Sequence, residues 1–255
     1  MRVAALYDIH ANLPALEAVL AEIQKQNVDR IVVGGDVLPG PMPRETMEYL
    51  LSLDNPADFI FRVIKGNGDR EVLAQMSGVE TDWFRTANES WRVPVRWSAQ
   101  QLNSQHQRIL ESWPPTYRME IPGLGDVLFC HATPRNDTEI FTRLTPEEAL
   151  LPIFTGLGAS VVVCGHTHMQ FDRMIGGTRV VNAGSVGMPF GEPGADWLLL
   201  GPSVDWRHTD YDFGRAAERI RGTAYPQAEE FAARNVLRPP PAEETLAAFT
   251  RVGMK

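Results

Sequence analysis

Five apolar runs in this chain each end in a residue able to bind a metal. Val3-Ala4-Ala5-Leu6-Tyr7 runs into Asp8-Ile9-His10, and Ile31-Val32-Val33 leads through Gly34 into Gly35-Asp36. The run from Phe59 to Ile64 leads into Gly66-Asn67-Gly68-Asp69. Val127-Leu128-Phe129-Cys130 precedes His131, and Val161-Val162-Val163-Cys164 precedes Gly165-His166-Thr167-His168. Short β-branched and aromatic runs bounded by Gly or Asp read as buried strands. In open α/β sheets, ligands gather beyond the carboxyl ends of strands. The pattern therefore predicts an α/β fold in which Asp8, His10, Asp36, Asn67, His131, His166 and His168 meet on one edge. Seven donor side chains exceed the needs of one ion and suggest two.

The remaining segments order themselves around these strands. Residues 1–80 read as β-α-β-α-β. Asn12 is placed to cap the first helix and Pro14 to sit in its first turn, with Leu16, Val19, Leu20 and Ile23 as its apolar stripe. A second helix is expected from Arg44 to Leu53. Residues 81–115 contain Trp83, Trp91, Trp97 and Trp113 and read as a helical insertion with a helix beginning at Ser98 and a local core of tryptophans. Strands return over 116–205 with one helix near 146–154, and 179–200 reads as two strands joined by a turn-rich segment. The extension 213–255 reads as helical, interrupted by Pro239-Pro240-Pro241. A chain of 255 residues arranged this way is expected to form a single domain.

Composition narrows the partners. The formal net charge of −8 argues against a broad basic face for duplex DNA or anionic lipid. No apolar stretch approaches the roughly 18 residues of a membrane span. The first strand starts by residue 3 with no leader-like segment before it. Cys130 and Cys164, each at the end of a buried strand, read as reduced thiols. The expectation is a cytoplasmic protein with a small-molecule substrate; aromatics in the insertion offer a contact for a homo-oligomer.

The donor set indicates the chemistry. Asp8 and His10 are two residues apart, as are His166 and His168, and on an extended chain such pairs point the same way. Carboxylate and amide oxygens mixed with imidazole suit Mn²⁺, Fe, Zn²⁺ or Ni²⁺, with Mn²⁺ favoured, and there is no thiolate cluster for structural zinc. Two divalent ions, balanced by Asp8, Asp36 and one hydroxide, retain about one positive charge, which suits an anionic phosphate.

These motifs, in this order, resemble the calcineurin-like metallophosphoesterases, and most of all their small single-domain phosphodiesterase branch, over roughly residues 1 to 200. The resemblance implies a four-layer αββα sandwich of two mixed β-sheets flanked by helices. It implies that Asp8, His10 and His168 hold one metal and that Asn67, His131 and His166 hold the other, with Asp36 bridging. It further implies that a metal-bridging hydroxide attacks phosphorus, so that Asp36, Asn67 and His131 carry the catalysis.

The sequence departs from the family's common Gly-Asn-His-Asp/Glu pattern at Gly68, where many members have a histidine that assists the leaving group. A side chain that cannot donate a proton points to diesters or activated esters over alkyl monoesters. The alternatives are a phosphomonoesterase or protein phosphatase, and a non-catalytic scaffold of the same fold. Asn67, Arg70 and Arg135 are the candidate substrate contacts, the arginines because they neighbour metal motifs and can clamp a phosphate. Asp69 reads as a supporting loop residue. Asn12, Asn182 and Ser185 read equally well as cap or turn residues and as site neighbours. His106 and His208 read as surface residues, the latter in a loop.

Overall fold

A computed structural model describes residues 1–53 and 60–253 of the chain. Two five-stranded mixed sheets face each other. In the first, β1 (Val3–Leu6), β2 (Arg30–Val33) and β3 (Ile60–Val63) run parallel. The strands β9 (Ala195–Leu200) and β10 (Val204–Thr209) complete it antiparallel to their neighbours, in the order β10-β9-β1-β2-β3. In the second, β5 (Gly125–Cys130), β6 (Val161–Cys164) and β8 (Thr178–Asn182) run parallel. Antiparallel β4 (Thr116–Ile121) and β7 (Phe171–Ile175) form its edges. Phe59, the first residue of the third apolar run, lies outside the described residues.

The β-branched runs are buried because each strand is covered on both faces. Along β1, Val3, Ala5 and Tyr7 enter the core between the sheets, while Ala4 and Leu6 face helices on the outside. Along β5 and β6, Val127, Phe129, Val161 and Val163 face inward, while Leu128, Cys130, Val162 and Cys164 face the opposite outer layer. Side chains alternate with a period of two, so a strand in the middle of a four-layer sandwich must be apolar at every position. Cys130 and Cys164 are free and buried, and burial pushes both thiols up from their ordinary pKa.

Helix α1 (Leu13–Ile23) follows the expected stripe: Leu16, Val19, Leu20 and Ile23 are all buried, and Asn12 caps it by accepting from the Ala15 amide at 3.4 Å. Each such buried aliphatic side chain contributes roughly 1.5–3 kcal/mol. Helix α2 spans Pro43–Ser52. Helix α3 (Asn67–Met76) was not foreseen. Its opening Asn67-Gly68-Asp69 has the composition of a turn, yet Asp69 accepts the Gly66 amide at 3.0 Å and so caps a helix.

The insertion is helical but differs from expectation in three ways. Its helices are α4 (Asp82–Thr86), α5 (Glu89–Gln101) and α6 (Ser104–Ser112). The helix expected to begin at Ser98 begins at Glu89, because Pro94, a breaker in isolation, stands inside α5. The tryptophans form no common core: Trp91 is 61% exposed and Trp83 37%, whereas Trp97 packs on Tyr225 and Trp113 on the core under the first sheet. His106 is buried rather than superficial, because it closes the N-terminus of α6 with Asn103.

Helix α7 (Glu147–Phe154) covers the second sheet. The two strands expected over 179–200 are β8 and β9, joined by a turn-rich segment; they belong to different sheets, so that segment crosses the sandwich. His208 lies in β10 rather than a loop, exposed and bonded to Asp196 at 2.8 Å. The C-terminal part comprises α8 (Phe213–Arg221), α9 (Ala228–Phe231) continued by a π-helical stretch Ala232–Leu237, and α10 (Ala242–Val252). Ala217, Ile220, Tyr225, Phe231 and Val236 give α8, α9 and the π-helical stretch their own small core. No helix among the described residues is long and apolar enough to cross a membrane.

Candidate metal centre

The parallel strands of both sheets deliver their carboxyl ends to one edge. There β1 supplies Asp8 and His10, β2 leads to Asp36, β3 to Asn67, β5 to His131, and β6 to His166 and His168. The resulting cluster is tight. Asp8 Oδ1 lies 3.3 Å from His168 Nε2 and 3.9 Å from Nε2 of both His10 and His131. Asp36 faces two ways, with Oδ1 3.5 Å from His131 Nε2 and Oδ2 3.9 Å from His10 Nε2. His10 and His168 bring their Nε2 atoms within 3.1 Å of each other.

The pairs two residues apart reach one place for a different reason from the one expected. The chain is not extended there. Asp8, His10, Asp36, His166 and His168 all have φ between 48° and 65°, and Ala11 shares that conformation. Among the described residues these six are the only non-glycine residues with positive φ. Left-handed backbone at an ordinary residue costs of order 1 kcal/mol or more and persists where surrounding structure imposes it. Here backbone hydrogen bonds impose it: the amides of Asp8, His10 and Ala11 donate to the carbonyls of Gly35, Asp36 and Val37. Five of the seven expected ligands thus sit in strained turns that swing their side chains off the strand ends.

Each imidazole is oriented by a backbone carbonyl. His10 Nδ1 contacts the Pro39 carbonyl at 3.3 Å, His131 Nδ1 that of Gly34 at 3.0 Å, and His168 Nδ1 that of Met188 at 2.8 Å. His166 is turned the other way, with Nε2 3.2 Å from the Thr138 carbonyl. The nitrogen left facing the cluster is therefore Nε2 in three cases and Nδ1 in the fourth. Backbone carbonyls have no sequence signature, so these supports were invisible beforehand. Side chains whose role was ambiguous in the sequence prove to be supports as well. Asn182 donates to the Gly165 carbonyl at 2.6 Å, Ser185 to that of Asp8 at 2.8 Å, and Asn12 to that of Gly187 at 2.9 Å.

The cluster calls for positive charge at its centre. Asp8 Oδ1 is buried without a hydrogen-bond partner, a costly state for a charged oxygen. The Asn67 amide oxygen lies 3.1 Å from His131 Nε2 and 3.0 Å from both His166 Nδ1 and the Asp137 carbonyl oxygen. Turning that amide over would relieve the crowding at Asn67, but it would leave Asp8 Oδ1 and the facing Nε2 atoms as they are. Cations account for all three features, and the donor types suit a divalent transition metal. Among the described residues, two groups of donors meet the spacing a metal requires: Asp8 with His10 and His168, and Asp8 with Asp36 and His131.

The ionisation states reflect the same demand. Burial opposes charge on Asp8 and Asp36, yet His168 beside the first and His131 beside the second hold both carboxyls below their ordinary range. Burial likewise opposes charge on His131, but Asp36 and Asp8 outweigh it and raise the imidazole to about 10. His168 is raised too, against burial, by Asp8. Burial and His131 lower His166 to about 4, and burial and His168 lower His10. Without metal, a proton on His131 supplies part of the missing positive charge.

Gly68 and Asp69 sit directly beneath the cluster. The Gly68 amide donates to Asp36 Oδ1 at 2.7 Å. A Cβ at this position would stand 2.4 Å from the Leu38 carbonyl oxygen, 2.7 Å from Pro39 Cδ and 3.1 Å from Asp36 Oδ1. The space a histidine would need is filled by backbone. Asp69 accepts the amides of Leu38 and Gly66, both at 3.0 Å, so its oxygens bind backbone amides rather than the cleft. Burial and the nearby Asp36 raise its carboxyl to about 8.

The two arginines flank the cluster but are already engaged. Arg70 binds both oxygens of Asp137, at 2.8 and 3.1 Å, and Glu71 at 2.6 Å. Arg135 binds Glu139 at 2.6 and 2.9 Å. Arg70 would have to exchange a carboxylate for a phosphate to touch substrate, whereas Arg135 binds Glu139 only through Nε and Nη2.

Comparison with known proteins identifies the family and the fold. The family model described as the calcineurin-like phosphoesterase superfamily domain matches residues 1–200. The Methanocaldococcus jannaschii protein MJ0912 is 26% identical over 245 residues, covering 88% of this chain and 94% of that one. The crystal structure of a metallophosphoesterase from Sphaerobacter thermophilus superposes with a TM-score of 0.69 at 26% identity, covering 92% of this chain and all of that one. The Pyrococcus horikoshii protein PH1004 shares the fold with a TM-score of 0.79 at 20% identity, over 94% of this chain and 99% of its own.

Proposed function

The chain belongs to the calcineurin-like phosphoesterase superfamily, and from that membership we propose that it is a dinuclear metal-dependent phosphoesterase acting on phosphodiesters or nucleotide-like phosphate esters. Asp8, His10 and His168 would hold one ion and Asn67, His131 and His166 the other, while Asp36 turns one oxygen toward His131 and the other toward His10. Two divalent cations in these positions supply Lewis-acid polarisation of a phosphoryl oxygen and a nucleophile derived from water. What supports this reading is that Asp8, Asp36, His10, His131 and His168 fall into two groups with metal-ligand spacing, both containing Asp8, whose Oδ1 is buried and unpartnered, while the Asn67 amide oxygen lies beside His131 and His166.

The residues themselves perform the positioning. The carbonyls of Pro39, Gly34, Met188 and Thr138 fix which nitrogen of each imidazole faces inward, and such supports tune ligand basicity. The Gly68 amide holds Asp36 in orientation.

The diester preference rests on Gly68. No side chain at this position protonates the departing oxygen, and the Leu38 carbonyl prevents one from being accommodated. A leaving group that departs as a stable anion removes the need for that proton. With Mn²⁺ bound, the protein is expected to turn over bis(p-nitrophenyl) phosphate well above p-nitrophenyl phosphate and glycerol phosphate. Equal or faster monoester turnover would overturn the diester reading, and loss of activity in Asp36→Ala would tie the hydrolysis to this centre.

A further inference from the structure

The C-terminal helix passes beside the metal centre. Phe190 lies nearly flat on the His168 ring, with centroids 5.6 Å apart and planes 23° apart. Phe249 of α10 stands edge-on to Phe190, at 6.2 Å and 71°. The helix is otherwise lightly attached. Leu246 is its one buried side chain. Glu243 pairs with Arg143 at 2.7 Å, and the Gly191 amide donates to the Pro240 carbonyl at 2.9 Å. One tether therefore lies in the segment after Thr138, whose carbonyl holds His166, and the other adjoins Phe190 beside His168. Helix α10 is thus tied to the segments that follow Thr138 and Phe190. Both phenylalanines remain partly exposed, although metal coordination requires no aromatic ring.

From these contacts we infer that Phe190 and Phe249 form an aromatic wall beside the metal centre that stacks the planar ring, nucleobase or aryl, carried by the phosphate ester. The inference rests on the phosphoesterase reading and adds the substrate's organic group to it. A ring joined to a metal-anchored phosphate by a short linker meets an aromatic edge and face that favour offset or edge-to-face stacking. Such stacking tolerates any base, because every base presents a π-face. The wall therefore selects for an aromatic group without specifying which one.

The test compares esters with one leaving group and different retained groups. The Mn²⁺-loaded full-length protein is given thymidine 5′-(p-nitrophenyl phosphate), phenyl p-nitrophenyl phosphate and methyl p-nitrophenyl phosphate. All three release p-nitrophenolate, so the leaving group is constant. The wild type is expected to favour the thymidine or the phenyl ester over the methyl ester by about tenfold or more in kcat/KM, and the better of the two identifies the ring. Phe249→Ala should reduce that preference about tenfold, chiefly through KM, equivalent to ~1.4 kcal/mol. Phe249→Tyr should retain the preference, and Phe249→Leu, which keeps apolar contact without a ring, should lose it. This pair remains informative if the alanine variant folds poorly. A wild type with no preference for either aromatic ester, or a Phe249→Leu variant that keeps it, overturns the aromatic wall alone. A wild type that hydrolyses none of the esters overturns the phosphoesterase reading beneath it.

Discussion

Replacing Gly68 tests whether the missing histidine is an accident of sequence or a property of the fold. In an unstrained helix, Gly→Ala stabilises by roughly 0.5–1 kcal/mol, because alanine loses less backbone freedom on folding. At Gly68 the new Cβ would meet the Leu38 carbonyl oxygen at 2.4 Å and Pro39 Cδ at 2.7 Å. Neither is the movable end of a flexible side chain, so the backbone after β2 must shift. Overpacking of this kind costs about 1–3 kcal/mol, which outweighs the entropic gain and reverses its sign. The net loss for Gly68→Ala is about 1–2 kcal/mol, or a fall in Tm of roughly 2–8 °C for a domain of this size. The same shift moves Asp36, which the Gly68 amide holds at 2.7 Å. Misplacement of a reacting group by about 1 Å can cost 10²-fold, so kcat/KM on an aryl diester should fall by about one to two orders of magnitude. Gly68→His should lose both stability and diesterase activity without gaining monoesterase activity. Thermal unfolding followed by circular dichroism, with initial rates on both ester classes, measures all of this. A Gly68→Ala variant as stable as the wild type would refute the steric argument, as would a Gly68→His variant with a tenfold gain on alkyl monoesters.

Three further predictions concern ions and protons. Asp8→Asn removes the carboxylate shared by both spatial groups of donors and should reduce bound metal, read by elemental analysis after dialysis, to less than half the wild-type content. Metal binding should release about one proton near pH 7, because His131, raised to about 10, is protonated without metal and must lose that proton to coordinate. Apparent affinity should therefore rise up to about tenfold per pH unit for each proton between pH 7 and 10, and calorimetry in buffers of different ionisation enthalpy counts the protons; pH-independent affinity would contradict the assignment. In the chelator-treated protein, Asp69, raised to about 8, keeps its proton when folded and loses it when unfolded between about pH 4 and 8. Its contribution to stability falls as pH rises across that window, so Asp69→Asn should flatten the slope of urea-unfolding free energy against pH there.

Much of the centre was legible because its signal is local. A strand buried on both faces must be a continuous apolar run, and the first polar residue past it lies at the sheet edge; Asp8, Asp36, His131 and His166 are each found there by that rule, and Asn67 follows two residues after the first polar residue, Lys65. The first helix was legible for the same kind of reason, since Asn12, Pro14 and a stripe of four apolar residues are local instructions. Helix α3 and the start of α5 were missed where local signals conflict with their surroundings, at Asn67-Gly68-Asp69 and at Pro94. The buried state of His106 depends on a reciprocal bond with Asn103 that composition does not disclose.

The sequence by itself determined which side chains end the strands and what charge they carry, because strand periodicity and donor chemistry are written residue by residue. Only the tertiary structure decided how they meet. It brought the strand ends of two separate sheets together and set five of the expected ligands in left-handed turns, with Asp8, His10 and Asp36 joined by backbone bonds and the His166 amide held by the Asp8 carboxylate. It also aimed each imidazole with a carbonyl from a distant loop and filled the place of a sixty-eighth side chain with the Leu38 carbonyl. Each of these contacts depends on a backbone atom far away in the chain. A backbone atom is the same at every residue, so no sequence pattern distinguishes the ones that matter.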